Sequence, residues 1–93
     1  MIKVKANIYL YKHKGRKTPF TSGYRPAFSF NKNKNEFFSG SIDLINQEKF
    51  ERGTLSEVFI TFNDNQNLKK GNTFSINEPP FEIGEGEIIE IMN

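Results

Sequence analysis

An all-β fold, barrel or sandwich, is predicted for this chain by three observations. Its apolar segments alternate with period two, its connectors are rich in Asn, Gly, Pro and Lys, and no segment sustains a 3.6-residue period. The first segment, KVKANIYLY, puts Val4, Ala6, Ile8 and Leu10 on one face and Lys3, Lys5, Asn7 and Tyr9 on the other, the pattern of a strand buried on one side. In AFSF, Phe28 and Phe30 alternate with Ala27 and Ser29 and are expected in the core. FFSGSIDL continues the alternation. TLSEVFITF sets Val58, Ile60 and Phe62 against Glu57, Phe59 and Thr61, and its β-branched and aromatic content suits a pleated surface. FSIN and FEIGEGEIIEI complete the set.

Between these segments KHKGRKTP, NKNKNE, ERG, NDNQNLKKGN and NEPP read as turns. DLINQEKFERG is the one candidate for a helical turn, and its length suits a loop better. Gly84 and Gly86 interrupt the last strand pattern. Interior glycine weakens a strand, so an alternating pair predicts a bulge, a barrel corner or close approach of another backbone. The phase of that segment also changes, because Ile83 shares a face with Glu85 and Glu87 and then with Ile89 and Ile91, which predicts a local kink.

With 93 residues the chain is read as one domain, 1–93, and a chain of this size buries roughly 60–70% of its unfolded surface in a single core. Ten Phe among these residues exclude a disordered segment and make Phe the main core material. Cysteine is absent, which removes disulfides, thiolate nucleophiles and thiolate metal sites and favours a cytoplasmic setting. Neither a signal peptide nor an apolar run long enough to span a membrane is visible, so no membrane partner is expected.

The net charge of +2 hides an uneven distribution. Lys3, Lys5, Lys12, Lys14, Arg16, Lys17, Arg25, Lys32 and Lys34 occur with no acid between them, whereas Glu78, Glu82, Glu85, Glu87 and Glu90 occur with no base. The simpler reading is that the two ends of the chain lie side by side and neutralise each other; the alternative is a surface facing a polyanion.

Enzymatic readings fare poorly. His13 is the single histidine and sits in a cationic turn, where a solvated residue is expected rather than a general base. Glu85, Glu87 and Glu90 resemble a carboxylate cluster, but period two places Glu85 and Glu87 side by side on an exposed strand face. KHKGRKT lacks the glycines and the Lys-Ser/Thr ending of a phosphate loop, so no nucleotide and no cofactor is expected. What remains is a basic and aromatic cluster of Lys12, Lys14, Arg16, Lys17 and Arg25 near Phe20, Tyr24, Phe28 and Phe30. Such grooves bind single-stranded nucleic acid, while in a Phe-rich β domain the same aromatics also serve as core.

GRKTPFTSGYRPAFSF resembles a signature of the third, C-terminal barrel of the elongation factor Tu family, close to GGRxTPFxxGYRPQFYF. FSGSIDL is similar to that domain's V-T-G-x-V/I-x-L strand, ERGTLSEVFITF to its M-P-G-D-N-x-x-x-x-V-x-L, and LKKGNTFSINEPPFEIGEGEIIEI to its final two strands, in the same order over almost the whole chain. The resemblance implies a closed six-stranded antiparallel barrel of Greek-key type, standing alone. It implies a structured crossing loop at TPFTSGYRP, in which Pro19 and Pro26 fix φ and Gly23 permits the turn. The family's GTP-binding domain has no counterpart in these residues, so no GTPase activity is implied.

In the family this barrel touches aminoacyl-tRNA, the GTPase domain and the exchange factor. Arg16 and Lys17 match a basic pair near tRNA phosphates, and Ser39 matches a Thr in the same surface. Elsewhere the chain departs from the pattern: Ala27 replaces Gln, Ser29 replaces Tyr, Pro79 and Pro80 replace Gly-Gly, and Phe81 replaces Arg. Loss of a cation and the carboxylates of Glu85 and Glu87 weaken phosphate contact. The expectation is a non-enzymatic module that engages an unidentified protein partner as a mimic or decoy of the translation factor. The alternative is weak tRNA binding around Arg16. Lys12, Lys14, Arg16, Lys17, Tyr24, Arg25, Ser39 and Phe81 are the candidate contact residues.

Overall fold

A computed structural model describes residues 1–30, 36–64 and 67–92. The expected turn at NKNKN, with Lys32 and Lys34, lies outside the described residues, as do Asn65 and Gln66 of NDNQNLKKGN. Six strands are present: β1 (Ile2–Leu10), β2 (Ala27–Phe30), β3 (Phe38–Leu44), β4 (Leu55–Phe62), β5 (Thr73–Glu78) and β6 (Phe81–Ile91). They close into a barrel in the order β1-β4-β3-β2-β5-β6, with β6 returning to β1 and every pairing antiparallel. β2, β3 and β4 are sequential neighbours, and the long connection 11–26 lets β1 lie beside β4, which is the Greek-key arrangement. Closure gives every strand a paired neighbour on both sides.

The alternation read from the sequence is the inside and outside of this barrel. Val4, Ala6, Ile8 and Leu10 of β1 and Val58, Ile60 and Phe62 of β4 point inward and are fully buried. Phe28, Phe30, Phe62 and Phe74 meet at centroid separations of 5.0–5.7 Å in edge-on and tilted contacts, the geometry that aromatic quadrupoles favour. Phe supplies the barrel's bulk.

β6 departs from simple alternation because it carries two bulges. Against β5 the register jumps from Ile76↔Gly84 to Asn77↔Glu82, leaving Ile83 as the extra residue. Against β1 it jumps from Ala6↔Ile88 to Lys5↔Glu90, leaving Ile89 extra. Each bulge flips the inward parity, so Ile83, Gly84 and Ile88 are buried while Glu85 and Glu87 face outward. The kink expected from the phase of FEIGEGEIIEI is present in this form.

Segments 11–26 and 45–54 cross one end of the barrel. They hold each other through reciprocal backbone bonds between Phe20 and Phe50 (3.2 and 2.8 Å) and through the Tyr24↔Ile42 bridge to β3. Gly23 takes φ of +92°, the turn that the crossing loop requires. DLINQEKFERG forms no helix; its last part is this crossing segment, anchored by fully buried Phe50.

Candidate functional site

At the capped end four flat groups lie in a column. Phe50 stacks on Phe20 (5.2 Å, planes 6° apart), Phe20 on Tyr24 (4.6 Å), and the Arg16 guanidinium carbon sits 4.7 Å over the Tyr24 ring. The column terminates on Glu78 at the end of β5, whose carboxylate accepts hydrogen bonds from Arg16 Nη1 (2.5 Å) and from the Tyr24 hydroxyl. Arg16 Nε also donates to the Thr18 carbonyl (3.0 Å) and Nη2 to the Pro19 carbonyl (3.3 Å). Each of its three nitrogens therefore donates within the molecule, fastening the crossing loop to the sheet by charge-assisted bonds. The sequence segment that most resembles a recognition loop is a clasp.

A second cluster adjoins it. Tyr11 donates its hydroxyl to Glu82 and to Glu85 (3.1 Å), and the Lys14 ammonium lies 4.7 Å over the Tyr11 ring. Gly15 rests on β6 so closely that a Cβ there would stand 2.8 Å from the Ile83 Cα, which places the basic loop directly against the start of the acidic strand. Along the barrel wall Lys5 faces Glu90 across β1 and β6 and reaches Glu57 at 3.8 Å. The basic and acidic ends of the chain do lie side by side.

The remaining candidate residues separate. Lys12, Lys14 and Lys17 are exposed on the loop, with the Lys12 stem against Gly53. Arg25 and Ser39 sit elsewhere on the rim, where Arg25 Nη2 donates to Asn63 Oδ1 (3.4 Å) and the Asn63 amide donates to the Ser39 carbonyl (3.1 Å). Phe81 pairs with Glu78 at the β5–β6 hairpin and is 66% exposed beside the cis Pro79–Pro80 peptide. Sequence reasoning missed Glu78 as the partner of Arg16 and Tyr24. Sixty-two residues separate Arg16 from it, and only the β2–β5 pairing, which no local pattern specifies, brings them together.

His13 is exposed, and among the described residues no group of three or more His, Cys, Asp or Glu side chains could hold a metal ion. No helix among the described residues is long and apolar enough to cross a membrane. No protein-family model matches the chain.

The clusters make one alkaline prediction. Burial, then hydrogen bonding to Glu82 and Glu85, holds the Tyr11 phenol well above its ordinary range; burial and Glu78 do the same for Tyr24, with Arg16 opposing. A raised folded-state value means that the unfolded chain releases these protons first. The stabilisation is complete below about pH 10 and is lost as pH climbs from there toward the folded-state values. The thermal midpoint is expected to fall from about pH 10 upward, and less steeply in Tyr11→Phe/Tyr24→Phe. Identical slopes in the two proteins, followed by tyrosinate absorbance and circular dichroism, would contradict the assignment.

Proposed function

We propose that the protein is a non-enzymatic binding module, a barrel of the kind found as the third domain of elongation factor Tu, that engages a protein partner linked to translation as a mimic or decoy. The observation that carries this reading is the inward commitment of Arg16. The cation that an RNA-binding role most needs is bonded to Glu78, Thr18 and Pro19 and stacked on Tyr24, while the same end of the barrel offers solvent an apolar Phe81. Interfaces draw their energy from aromatic anchors of this type, and rim cations contribute mainly to encounter.

The test is affinity capture from host lysate with and without ribonuclease, using the native chain, Phe81→Ser and Lys14→Glu/Lys17→Glu. A partner protein retained after ribonuclease and lost with Phe81→Ser is the expected result. The exposed Lys12, Lys14 and Lys17 favour the second reading, tRNA binding. Captured tRNA that vanishes with Lys14→Glu/Lys17→Glu and with added salt would replace the first reading by the second. Arg16→Glu is unsuitable here, because it would break the clasp as well as any phosphate contact.

A further inference from the structure

Beside the capped end, a groove of about 440 Å³ runs along the outer wall of β1, β6 and β5, with Glu82 and Glu85, the partners of Tyr11, in its lining. Its geometry follows from the register. Leu55, Tyr9, Glu85 and Ser75 occupy consecutive positions on one rung across β4, β1, β6 and β5, and Glu87 stands one outward position further along β6. Leu55 is 65% exposed, an unusual state for a large aliphatic side chain on a strand, and Tyr9 forms the wall beside it. The backbone at Gly86 completes the lining between the two carboxylates. Glu85 receives one hydrogen bond, from Tyr11, and Glu87 has no ion-pair or hydrogen-bond partner among the described residues; its cross-strand neighbours, Asn7 and Thr73, are neutral.

We propose that this groove is a docking site for an extended segment of a partner protein bearing Lys or Arg, with the alkyl stem lying on Leu55 and Tyr9 and the charged head reaching Glu85 and Glu87. The two carboxylates belong to residues two apart on one strand, roughly 7 Å along it, so a single cation between them lies within reach of both. An apolar wall ending in carboxylates complements a side chain that is apolar along its length and cationic at its tip. Phosphate-bearing ligands are repelled by the same carboxylates. Since the barrel is closed, strand addition is unavailable, and recognition must come from side chains of the visiting segment. The groove adjoins the Phe81 hairpin through Glu82, but Phe81 does not line it, and its existence does not depend on the proposed function.

The experiment is a titration of the isotope-labelled full chain with a capped Ala-Arg-Leu-Lys-Ala peptide, followed by amide resonances. Saturable shifts at Glu85, Gly86 and Ser75 are expected, with affinity about tenfold lower in Glu85→Gln/Glu87→Gln and several-fold lower in Leu55→Ser, which leaves the charge unchanged. A peptide with diaminobutyrate in place of both cationic residues, titrated at about pH 6, keeps the charge, shortens the stem and is expected to bind more weakly. Equal binding of that peptide, equal binding of a Gln-substituted peptide, or equal binding by Glu85→Gln/Glu87→Gln would overturn the proposal. Concentration-dependent shifts at the same residues without peptide would assign the groove to the basic loop of a second copy and overturn it equally. The substituted residues are on the outer wall, and an unchanged amide spectrum elsewhere verifies that the variants remain folded.

Discussion

Phe50→Ala is expected to destabilise the protein by about 3–5 kcal/mol, the range for truncating a fully buried aromatic residue. For a domain whose whole stability is of order 5–15 kcal/mol, that removes at least about a fifth of it. The cost is large for a residue in a loop because Phe50 acts as a plug. It is fully buried, its ring lies flat against Phe20, and its backbone holds Phe20 through bonds in both directions. Truncation leaves a cavity under Phe20, and the layers above, Tyr24 and Arg16, lose the base on which they stack. The consequence reaches Glu78, whose two partners belong to that column. Denaturant unfolding measures the effect, and Phe50→Leu, which keeps most of the volume, is expected to recover much of the loss. A cost below about 1 kcal/mol for Phe50→Ala would mean that the crossing segments decorate the barrel instead of closing it.

How much of this was legible depends on whether a residue's role is local. β1 and β4 pair in continuous register with each other, and period two in the sequence translates directly into inside and outside. β6 was harder to read, because its two bulges each shift the parity by one; the phase change was visible, but which residues were extra depends on partners in β1 and β5. Phe50 carried no periodic signal at all. Its segment reads as a loop, and its burial comes from Phe20, thirty positions earlier, through a bridge that exists only once both loops cross the barrel end. Arg16 illustrates the same limit for function. Within KHKGRK it reads as one of several solvent-facing cations, and its removal from that set depends on a carboxylate from another strand. Phe20 and Tyr24 were open to either stacking with nucleic acid or structural use; they stack on each other and on Phe50 and Arg16. The exposed Phe81, Leu55 and Glu87 were readable as residue types, whereas the groove they border or adjoin is a product of barrel register.

Gly84→Ala is expected to be the most damaging single-methyl addition on β6, because the obstacle is backbone. A Cβ at Gly84 would stand 2.5 Å from the Tyr9 carbonyl oxygen and 3.4 Å from the Leu10 Cα, both on β1. Neither can swing aside as a side chain would, so β1 and β6 must separate where the barrel closes. Overpacking of a tight core costs about 1–3 kcal/mol and occasionally more, and a backbone obstacle places Gly84→Ala at the upper end. At Gly86 the crowding is also severe but of another kind: a Cβ would meet the Phe74 ring at 2.6 Å and an Ile8 methyl at 2.7 Å. Gly86 and Phe74 are direct cross-strand partners, so the ring occupies the space that the glycine leaves empty, an aromatic covering a strand glycine. The two sites should therefore respond differently to a second change. Phe74→Leu is expected to offset part of the cost of Gly86→Ala, giving a favourable coupling in a double-mutant cycle, whereas Ile76→Val should leave Gly84→Ala uncorrected, since the Ile76 methyl at 3.5 Å is not what obstructs it. Hydrogen exchange at β1–β6 amides locates the damage. If Gly84→Ala leaves those amides as protected as in the native chain, the close approach of the two strands is not what closes the barrel.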